Sequence, residues 1–549
     1  MNGVFDRLPE RIYIFVYADD VLIVASGTQI RTLRQAQAAV SAVVKWTDSM
    51  GFQLSARKSI RCHVFPSQHR VNSTPITIHE QAIPNRKTVR VLGVLIDRTL
   101  SFDQHFQQVK KDNRSRLNLV KTISRPHRSN NRDVRFRVAR AIIDSTLLYK
   151  TEITCIASEK LVRTLAPFYN SYIRIISGLL PSTPADAACI EAGLLPFRFC
   201  LNANIATKAA AFSAKTSGNN RIFLLDEGNR VLRTAANIDL PPVAKVHWHG
   251  EKSWHSSRIQ LDNRIKNHFK ARDASIILRR SVAELLGSNY ADHVHRYTDG
   301  SRSINGVGIG IFGDGIAESS SLPPQCSVFS AEAAAIFRAA TTPANKSILI
   351  LTDSHSVVQA ITSEAPKHPW IQAIIKYAPP NTVYTWIPGH CGVPGNESAD
   401  HLAGAGTSGP RLTNKVPLQD VRRWIMRTIR AAWEAEWFRN RTAFIRKVKG
   451  STEPWRELDN LRDQRVISRL RTGHTKLYYN YGGLPFRRSC IICGVPNTVE
   501  HILCNCPEFQ NLRESLCPTS SISDLLGNDT SASAALVTLL KEVKIYHLV

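Results

Sequence analysis

Four acidic residues between positions 299 and 400 constrain the fold of this chain more than any other sequence feature. Asp299 ends a predicted strand in the segment YTDGS, and Asp353 ends the apolar run ILILTD, which is typical of a short buried strand. Glu332 opens a predicted helix, and Asp400 lies on a helix that follows a loop rich in Gly and Pro. Strands and helices alternate here, which predicts a mixed sheet covered by helices. The remaining predicted elements are a strand at 307–312, helices at about 330–341 and 355–363, and a strand at 383–387.

These four acids are of the type that holds divalent metal ions. Strand ends of an open α/β sheet form its natural ligand crevice, and Mg²⁺ prefers carboxylate oxygens together with substrate phosphate. Two such ions about 3.5–4 Å apart can activate a water and relieve charge on the leaving oxygen of a phosphodiester. We therefore predict a two-ion site at Asp299, Glu332, Asp353 and Asp400, for Mg²⁺ or alternatively Mn²⁺. His390, in the glycine-rich loop before Asp400, is a candidate for proton transfer. The alternative for any single acid is an ordinary turn or helix cap.

The segments around the acids are YTDGS, SAEAAAI, ILTDS and WIPGHCGVPGNESADHLA. Together they resemble the type 1 ribonuclease H domain over about 291–409. The resemblance implies cleavage of the RNA strand of an RNA–DNA hybrid. It implies that Asp299 bridges both ions and that Asp400 helps to hold the ion that activates water. It further implies that Glu332 and Asp353 hold the ion on the leaving-group side, and that Glu332 also reads the ribose hydroxyl.

A second acidic motif, Asp19-Asp20, splits the apolar run IYIFVYADDVLIVA, which predicts a hairpin with carboxylates at its tip. With the later segments GFQLSARKS and VRVLGVLID, it resembles the palm of LINE-type (non-LTR) retrotransposon reverse transcriptases, and Lys58 fits a nucleotide-side lysine. In that family the first metal aspartate lies on an earlier strand, for which the residues before Tyr17 leave no room. We therefore expect an N-terminally truncated copy, with no polymerase activity unless an upstream palm and fingers segment is supplied. An ordinary acidic turn is the alternative.

A Cys/His cluster near the end of the chain, CIICGVPNTVEHILCNC, has the composition of a structural zinc site. The candidate ligands are Cys490, Cys493, His501 and either Cys504 or Cys506. The run resembles the Cys-Cys-His-Cys segment that ends many LINE-type polyproteins, and the family's gap between His and Cys implies Cys506. The alternative is a set of small buried cysteines in a helical hairpin.

The charge balance predicts a polyanionic partner, because 71 Lys and Arg face 44 Asp and Glu, for a net charge of +27. The favoured partner is nucleic acid, and in particular an RNA–DNA hybrid. Two stretches concentrate the charge: 101–150 has twelve basic against four acidic residues, and 421–471 has fourteen against six. The alternative for either is a solvated basic face. The candidate phosphate-binding residues are Lys110, Lys111, Arg114, Arg116, Arg125, Arg128, Arg132, Arg135, Arg137, Arg422, Arg423, Arg427 and Arg430, with Trp424, Trp433 and Trp437 as stacking or core residues.

No run of about 18 apolar residues is present, so no membrane partner is expected. The eleven cysteines are too few and too scattered for a disulfide scaffold, which favours a reducing compartment, the nucleus or the cytoplasm. No small-molecule cofactor is predicted.

The predicted fold class is multidomain, α/β and α. It comprises a partial reverse transcriptase palm at 1–110, a helical thumb or connector at 111–215 and a linker or connector at 216–290. A ribonuclease H-like mixed sheet with flanking helices at 291–409 and a basic helical region with the zinc-binding tail at 417–549 complete it. The predicted function is an RNA–DNA hybrid endoribonuclease within a truncated retrotransposon reverse transcriptase. The alternative is a non-catalytic remnant that only binds nucleic acid.

Overall fold

The fold is described here from a computed structural model of the chain. The residues that it describes are 12–64, 74–125, 132–149, 151, 153, 157–215, 238–245, 259–267, 275–363, 366–439, 443–455, 458, 460–475, 489–490, 492–516 and 521–549.

The N-terminal part begins with the antiparallel hairpin that the sequence predicts. Strands β1 (Ile12–Tyr17) and β2 (Asp20–Ala25) pair from Ile12↔Ala25 to Tyr17↔Asp20, so the acidic pair lies at the turn. Helix α1 (Gln29–Ser49) follows and packs on β2 through its apolar face. Two further short hairpins complete this part. They are β3 (Thr77–Ile78) with β4 (Gln81–Ala82), and β5 (Thr88–Val91) with β6 (Val94–Asp97).

The next part is helical, in agreement with the predicted pattern from about 100 to 215. Asp97 starts it, because its carboxylate accepts hydrogen bonds from the backbone N–H groups of Thr99, Ser101 and Phe102 just before the first helix. These bonds hold the pKa of Asp97 at about 2, although burial works in the opposite direction. The helices are α2 (Asp103–Ile123), α3 (Arg132–Leu147), α4 (Glu159–Arg163), α5 (Ala166–Ile176), α6 (Ala185–Ala192) and α7 (Phe197–Lys215).

A six-stranded mixed sheet forms the middle of the chain, with the strand order β10-β9-β8-β11-β12-β7. Strands β8, β9 and β10 are antiparallel to their neighbours in sequence, whereas β11, β12 and β7 continue the sheet from β8 in parallel. The strands are β7 (Gln260–Asp262), β8 (Val294–Arg302), β9 (Val307–Gly313), β10 (Ile316–Leu322), β11 (Ile348–Thr352) and β12 (Val383–Trp386). The helices are α8 (Ser275–Asn289), α9 (Val328–Thr341), α10 (His355–Ile361), α11 (Pro369–Tyr377), α12 (Pro394–Gly406) and α13 (Leu418–Arg439).

Helices pack closely on the sheet because one of its strands is buried and apolar and another carries glycines at a point of contact. All five residues of β11 are buried, as the apolar run predicts. In β9, Gly308 and Gly310 have no side chain, and a Cβ at either position would collide with the backbone of α12. These glycines therefore permit direct packing of α12 on the sheet, in agreement with their interpretation as strand residues.

One strand comes from a stretch that was predicted to be a linker. Residues 260–262 form β7, which pairs in parallel with β12 at the edge of the sheet. Asp262 of this strand is buried and accepts hydrogen bonds from Arg264 and from the Tyr290 hydroxyl. Much of the remaining predicted linker, 216–237, 246–258 and 268–274, lies outside the described residues.

The C-terminal part is a helical domain with its own apolar core. Its core includes Trp455, Ile467, Leu526 and Leu536, all buried. The buried guanidinium of Arg471 donates to the Leu526 and Gly527 carbonyls, and so joins two helices of this domain. The helices are α14 (Ile445–Val448), α15 (Leu461–Thr472), α16 (Gln510–Leu516), α17 (Ile522–Leu526) and α18 (Thr530–Glu542), with a π-turn at His501–Asn505.

The chain divides into two compact units, Met1–Phe197 with Arg441–Val549, and Arg198–Asn440. The second unit contains the six-stranded sheet. Among the described residues, no helix is both long and apolar enough to cross a membrane.

Candidate functional site

Two adjacent parallel strands bring the first pair of acids together. Thr352 at the end of β11 pairs with Thr298 of β8, so Asp353 and Asp299, the next residues of each strand, are neighbours. Asp299 is only 8% exposed. The convergence follows from the register of the sheet, in which the side chains of equivalent positions lie side by side.

Glu332 reaches the same place because α9 approaches β8 at a glycine. A Cβ at Gly300 would lie only 2.5 Å from the Glu332 backbone nitrogen. With no side chain in the way, the Gly300 backbone N–H lies close enough to the Glu332 carboxylate to favour its ionised form, against the larger effect of burial. The first turn of α9 is capped by Ser327, whose hydroxyl accepts from the Ser330 N–H at 3.3 Å.

The structure brings three of the four predicted acids into one cluster and places the fourth next to it. Oxygens of Asp299, Glu332 and Asp353 lie within 4.8 Å of one another. Asp400, on α12, belongs to a neighbouring set of ligand atoms and is close enough for its charge to raise the pKa of Asp299. His390 lies beside it, with 3.9 Å between its Nδ1 and Asp400 Oδ2.

Burial and the neighbouring acids make ionisation of these carboxyl groups unfavourable. Burial, together with the charges of Asp353 and Asp400, raises the pKa of Asp299 to about 7. Burial also raises the pKa of Glu332 well above its ordinary value, and the pKa of Asp353 is raised mainly by burial. One oxygen of Glu332, Oε2, is buried without a hydrogen-bond partner in the described part of the chain. Such a set of carboxylates fits divalent cations, which would neutralise the charges and supply the missing partner.

The first turn of α12 places two further groups at the site, which were not predicted from the sequence. Asn396 is 2% exposed, and its side chain lies close enough to Asp353 to favour the ionised form of that carboxyl group, against the larger effect of burial. Glu397 accepts from the Gly392 N–H at 3.2 Å and lies with His390 and Asp400 in a second set of ligand atoms within 4.8 Å. Both residues belong to the segment GHCGVPGNESAD, and their position within that segment was the available signal. His390 itself is exposed and has a φ of +54°, which fits a turn.

A separate set of ligand atoms lies in the C-terminal domain. Atoms of Cys490, Cys493, His501 and Cys506 all lie within 4.8 Å of one another. The Sγ atoms of Cys490 and Cys506 are 3.8 Å apart. Cys504, on the same π-turn, instead packs against the apolar core of the domain.

The thiols of this set differ in their pKa values. A hydrogen bond from His501 is the main cause that lowers the pKa of Cys490 to about 6. Burial and the neighbouring thiols raise the pKa of Cys493 to about 11. A site with one ready thiolate and several close thiols is typical of a zinc centre, because a bound metal deprotonates its thiol ligands.

The N-terminal hairpin shows no comparable cluster. Asp19 and Asp20 are both exposed at the turn, and neither belongs to any of the three groups of potential metal ligands in the described part of the chain. Lys58 is exposed in the loop after α1. The acidic pair therefore lies at the tip of a hairpin, as predicted. Within the described residues, however, it does not come together with other potential metal ligands.

Several of the predicted phosphate-binding arginines have structural roles instead. Arg135 is 3% exposed, and Arg116 donates to the Ile142 carbonyl and the Ser145 hydroxyl. Trp433 and Trp437 are buried, so they are core residues rather than stacking platforms. Arg128 lies outside the described residues, and so does the side chain of Arg132.

Comparison with known proteins agrees with the fold of the middle of the chain. Residues 291–408 match the family model of RNase H, so this part of the chain is a ribonuclease H domain. The chain is also similar to the RNA-directed DNA polymerase from mobile element jockey of Drosophila melanogaster, 20% identical over 171 residues, and of Drosophila funebris, 22% identical over 179 residues. The prediction of a LINE-type retrotransposon protein that carries a ribonuclease H domain is confirmed by these findings.

These matches cover 31% and 32% of this chain but only 18% and 19% of the two polymerases. The chain thus spans less than a fifth of the length of these relatives.

Proposed function

We propose that the carboxyl cluster is the active site of an endoribonuclease that cleaves the RNA strand of RNA–DNA hybrids with two divalent ions, Mg²⁺ or Mn²⁺. The observation that carries the proposal is that oxygens of Asp299, Glu332 and Asp353 lie within 4.8 Å of one another, with Asp400 close enough for its charge to raise the pKa of Asp299. The match of residues 291–408 to the RNase H family supports the same activity.

The side chains of the four acids are of the chemical type that binds divalent metal ions. All four acids offer hard oxygen ligands, and the orphaned Oε2 of Glu332 has no other partner among the described residues. Asp299, Glu332, Asp353 and Asp400 would hold the ions. When bound, the ions supply an activated water and neutralise charge on the leaving oxygen.

The chain itself supplies orientation, recognition and proton transfer. The Asn396 side chain, beside Asp353, favours the ionised form of that carboxyl group, which is the form that binds a metal ion. Glu332 accepts a hydrogen bond from the ribose 2′-hydroxyl, which is the group that distinguishes RNA from DNA. His390, exposed beside Asp400, carries a proton between the site and solvent.

The first test compares binding with cleavage. A labelled RNA–DNA hybrid is incubated with the full chain and Mg²⁺. We expect cleavage by the wild type and a loss of at least about 100-fold for Asp353→Asn, because removal of even an outer-shell partner of a metal ligand costs about 10–100-fold. The matched control is Asp314→Asn, an exposed carboxylate that accepts only from the His295 N–H and lies outside the cluster. Binding without cleavage by the wild type would identify a non-catalytic nucleic-acid-binding remnant.

We further propose that α13 binds the phosphate backbone of the hybrid. Its buried face carries Val421, Ile425 and Ile429, and its opposite face exposes basic residues. Within the described part of the chain, Arg422, Arg427 and Arg430 form no ion pair. An uncompensated row of arginines is suited to phosphates and carries little sequence preference.

Hybrid binding is therefore expected to depend steeply on salt. For the triple variant Arg422→Ala, Arg427→Ala, Arg430→Ala, we expect the slope of log affinity against log salt to fall by about 2–3, since each neutralised phosphate contributes roughly 0.7–0.9. Fluorescence anisotropy in Ca²⁺ between low and moderate salt measures this slope. Arg338→Ala is the control, because Arg338 is already paired with Glu318 at 2.9 Å. An unchanged slope in the triple variant would contradict the assignment.

We also propose that Cys490, Cys493, His501 and Cys506 hold a structural zinc ion. Their ligand atoms lie within 4.8 Å of one another, and Cys490 has a pKa lowered to about 6. A set of four thiol and imidazole ligands matches a closed tetrahedral zinc site.

A further inference from the structure

Helix α9, which carries Glu332, is held at both ends by charged side chains from other elements. At its N-terminal end, Asp420 Oδ2 accepts from the Ser327 N–H at 3.0 Å and from the Ser330 hydroxyl. At its C-terminal end, Arg296 donates to the carbonyls of Ala339, Thr342 and Pro343. A negative group at the N-terminus and a positive group at the C-terminus are both favourable for the helix dipole.

Asp420 comes from beyond the RNase H family match, which ends at 408. It lies in the first turn of α13 and is 1% exposed. Arg423 of the same helix lies 3.4 Å from its other oxygen, and His368 lies 2.9 Å from the Ser330 hydroxyl. A carboxylate this deeply buried needs such partners, and most of those here belong to α9 or its cap.

The contact matters for Glu332 because that residue must lie close to groups of its own charge. Glu332 lies two residues after Ser330 and five after Ser327, and oxygens of Glu332, Asp299 and Asp353 lie within 4.8 Å of one another. When these carboxyl groups are ionised, they repel one another. Asp420 opposes a displacement of Glu332, since it fixes the Ser327 backbone and the Ser330 side chain at the start of the same helix.

We infer that Asp420 is a positioning residue for the proposed metal site: by capping α9 it fixes Glu332 beside Asp299 and Asp353, so that the working nuclease unit extends into α13. This inference rests on the proposed function. It also links the basic helix to the carboxyl cluster through one buried carboxylate.

The test measures metal binding as well as activity, in the full chain. For Asp420→Ala we expect the affinity for Mn²⁺, followed by the electron paramagnetic resonance signal of the free ion, to fall by about tenfold, as for other outer-shell positions. We expect kcat on the hybrid to fall similarly at fixed Mg²⁺, with KM changed less than twofold, because phosphate contacts are retained. Amide hydrogen exchange at 330–333 should accelerate.

Two further variants separate positioning from folding. Asp420→Asn keeps the size and one acceptor oxygen, and is expected to fall between the wild type and Asp420→Ala. Ser330→Ala combined with Asp420→Ala should cost less than the sum of the single changes, because both remove the same contact. The matched control is Asp529→Ala, which removes an aspartate cap from α18 in the other unit, where Asp529 accepts from the Ser531 N–H at 2.8 Å.

The outcomes are distinguishable. If the wild type neither binds Mn²⁺ nor cleaves the hybrid, the proposed function itself fails. If the wild type does both, and Asp420→Ala or Asp420→Asn lowers only thermal stability, as Asp529→Ala would, the positioning role is overturned. If Asp420→Ala does not fold, Asp420→Asn decides by the same measurements.

Discussion

Asp299→Asn is expected to abolish hybrid cleavage while stabilising the protein in the absence of Mg²⁺. Burial of Asp299, together with the charges of Asp353 and Asp400, raises its pKa to about 7. A neutral amide removes the cost of charging this position. The corresponding gain in stability is on the order of 2–4 kcal/mol. Cleavage should fall by at least about 100-fold, because a ligand shared by the proposed ions is lost.

The pH dependence of this gain follows from the direction of the shift. The unfolded carboxyl group ionises near 3.8, whereas the folded one stays protonated to about 7. Between these values the folded state binds more protons, so the stability of the wild type falls as pH rises from about 4 to about 7. The gain from Asp299→Asn should be full above pH 7 and should vanish below pH 4.

Hydrogen exchange of β8 and α9, measured at pH 8 in buffer without added Mg²⁺ and corrected for intrinsic rates, reports the stability of this part of the sheet. No chelator is used, so that zinc bound elsewhere is retained. Asp314→Asn, an exposed carboxylate of the same sheet, serves as the control. Equal protection in Asp299→Asn and the wild type would show that the acids do not repel one another, and retained cleavage would refute the proposed active site.

Zinc removal is expected to have the second large effect, confined to the C-terminal domain. Purified protein should contain one zinc ion per chain, and Cys493→Ser should lose it. Binding of structural zinc to small peptides is worth about 10–16 kcal/mol, so residues 489–516 should lose protection from hydrogen exchange in that variant. Metal content is measured by mass spectrometry of the folded protein.

The chain offers a matched control for the zinc site. Cys504 lies on the same π-turn as His501 but packs on the apolar core. Cys504→Ser should therefore keep the zinc ion. Absence of zinc from the wild type, or equal loss from both variants, would favour the interpretation as small buried cysteines.

The sequence was sufficient where a local pattern determined the geometry. The apolar run before Asp353 predicts a buried strand, and the sheet register then places Asp353 beside Asp299. The same holds for the hairpin at Asp19-Asp20, where two short apolar stretches flank an acidic pair and predict antiparallel pairing.

The sequence was insufficient where the partner is distant along the chain. Nothing local to Asp420 indicates that it caps a helix about 90 residues earlier. Strand β7 has only three residues, which is too short for a periodic pattern, and its partners in β12 lie 123 residues later in the chain. Charge alone also misled the prediction for Arg135, because composition does not reveal which arginine is covered by neighbouring helices.

The edge strand β7 affects where a fragment that contains the ribonuclease H domain can begin. Its residues Gln260–Asp262 form backbone hydrogen bonds with Val383–Thr385 along the outer edge of β12. A fragment cut at the start of the family match, at 291, leaves those amide and carbonyl groups bare, and a bare strand edge invites self-association. We therefore expect that a fragment of the ribonuclease H domain that does not self-associate begins before residue 260, well upstream of the start of the family match at 291.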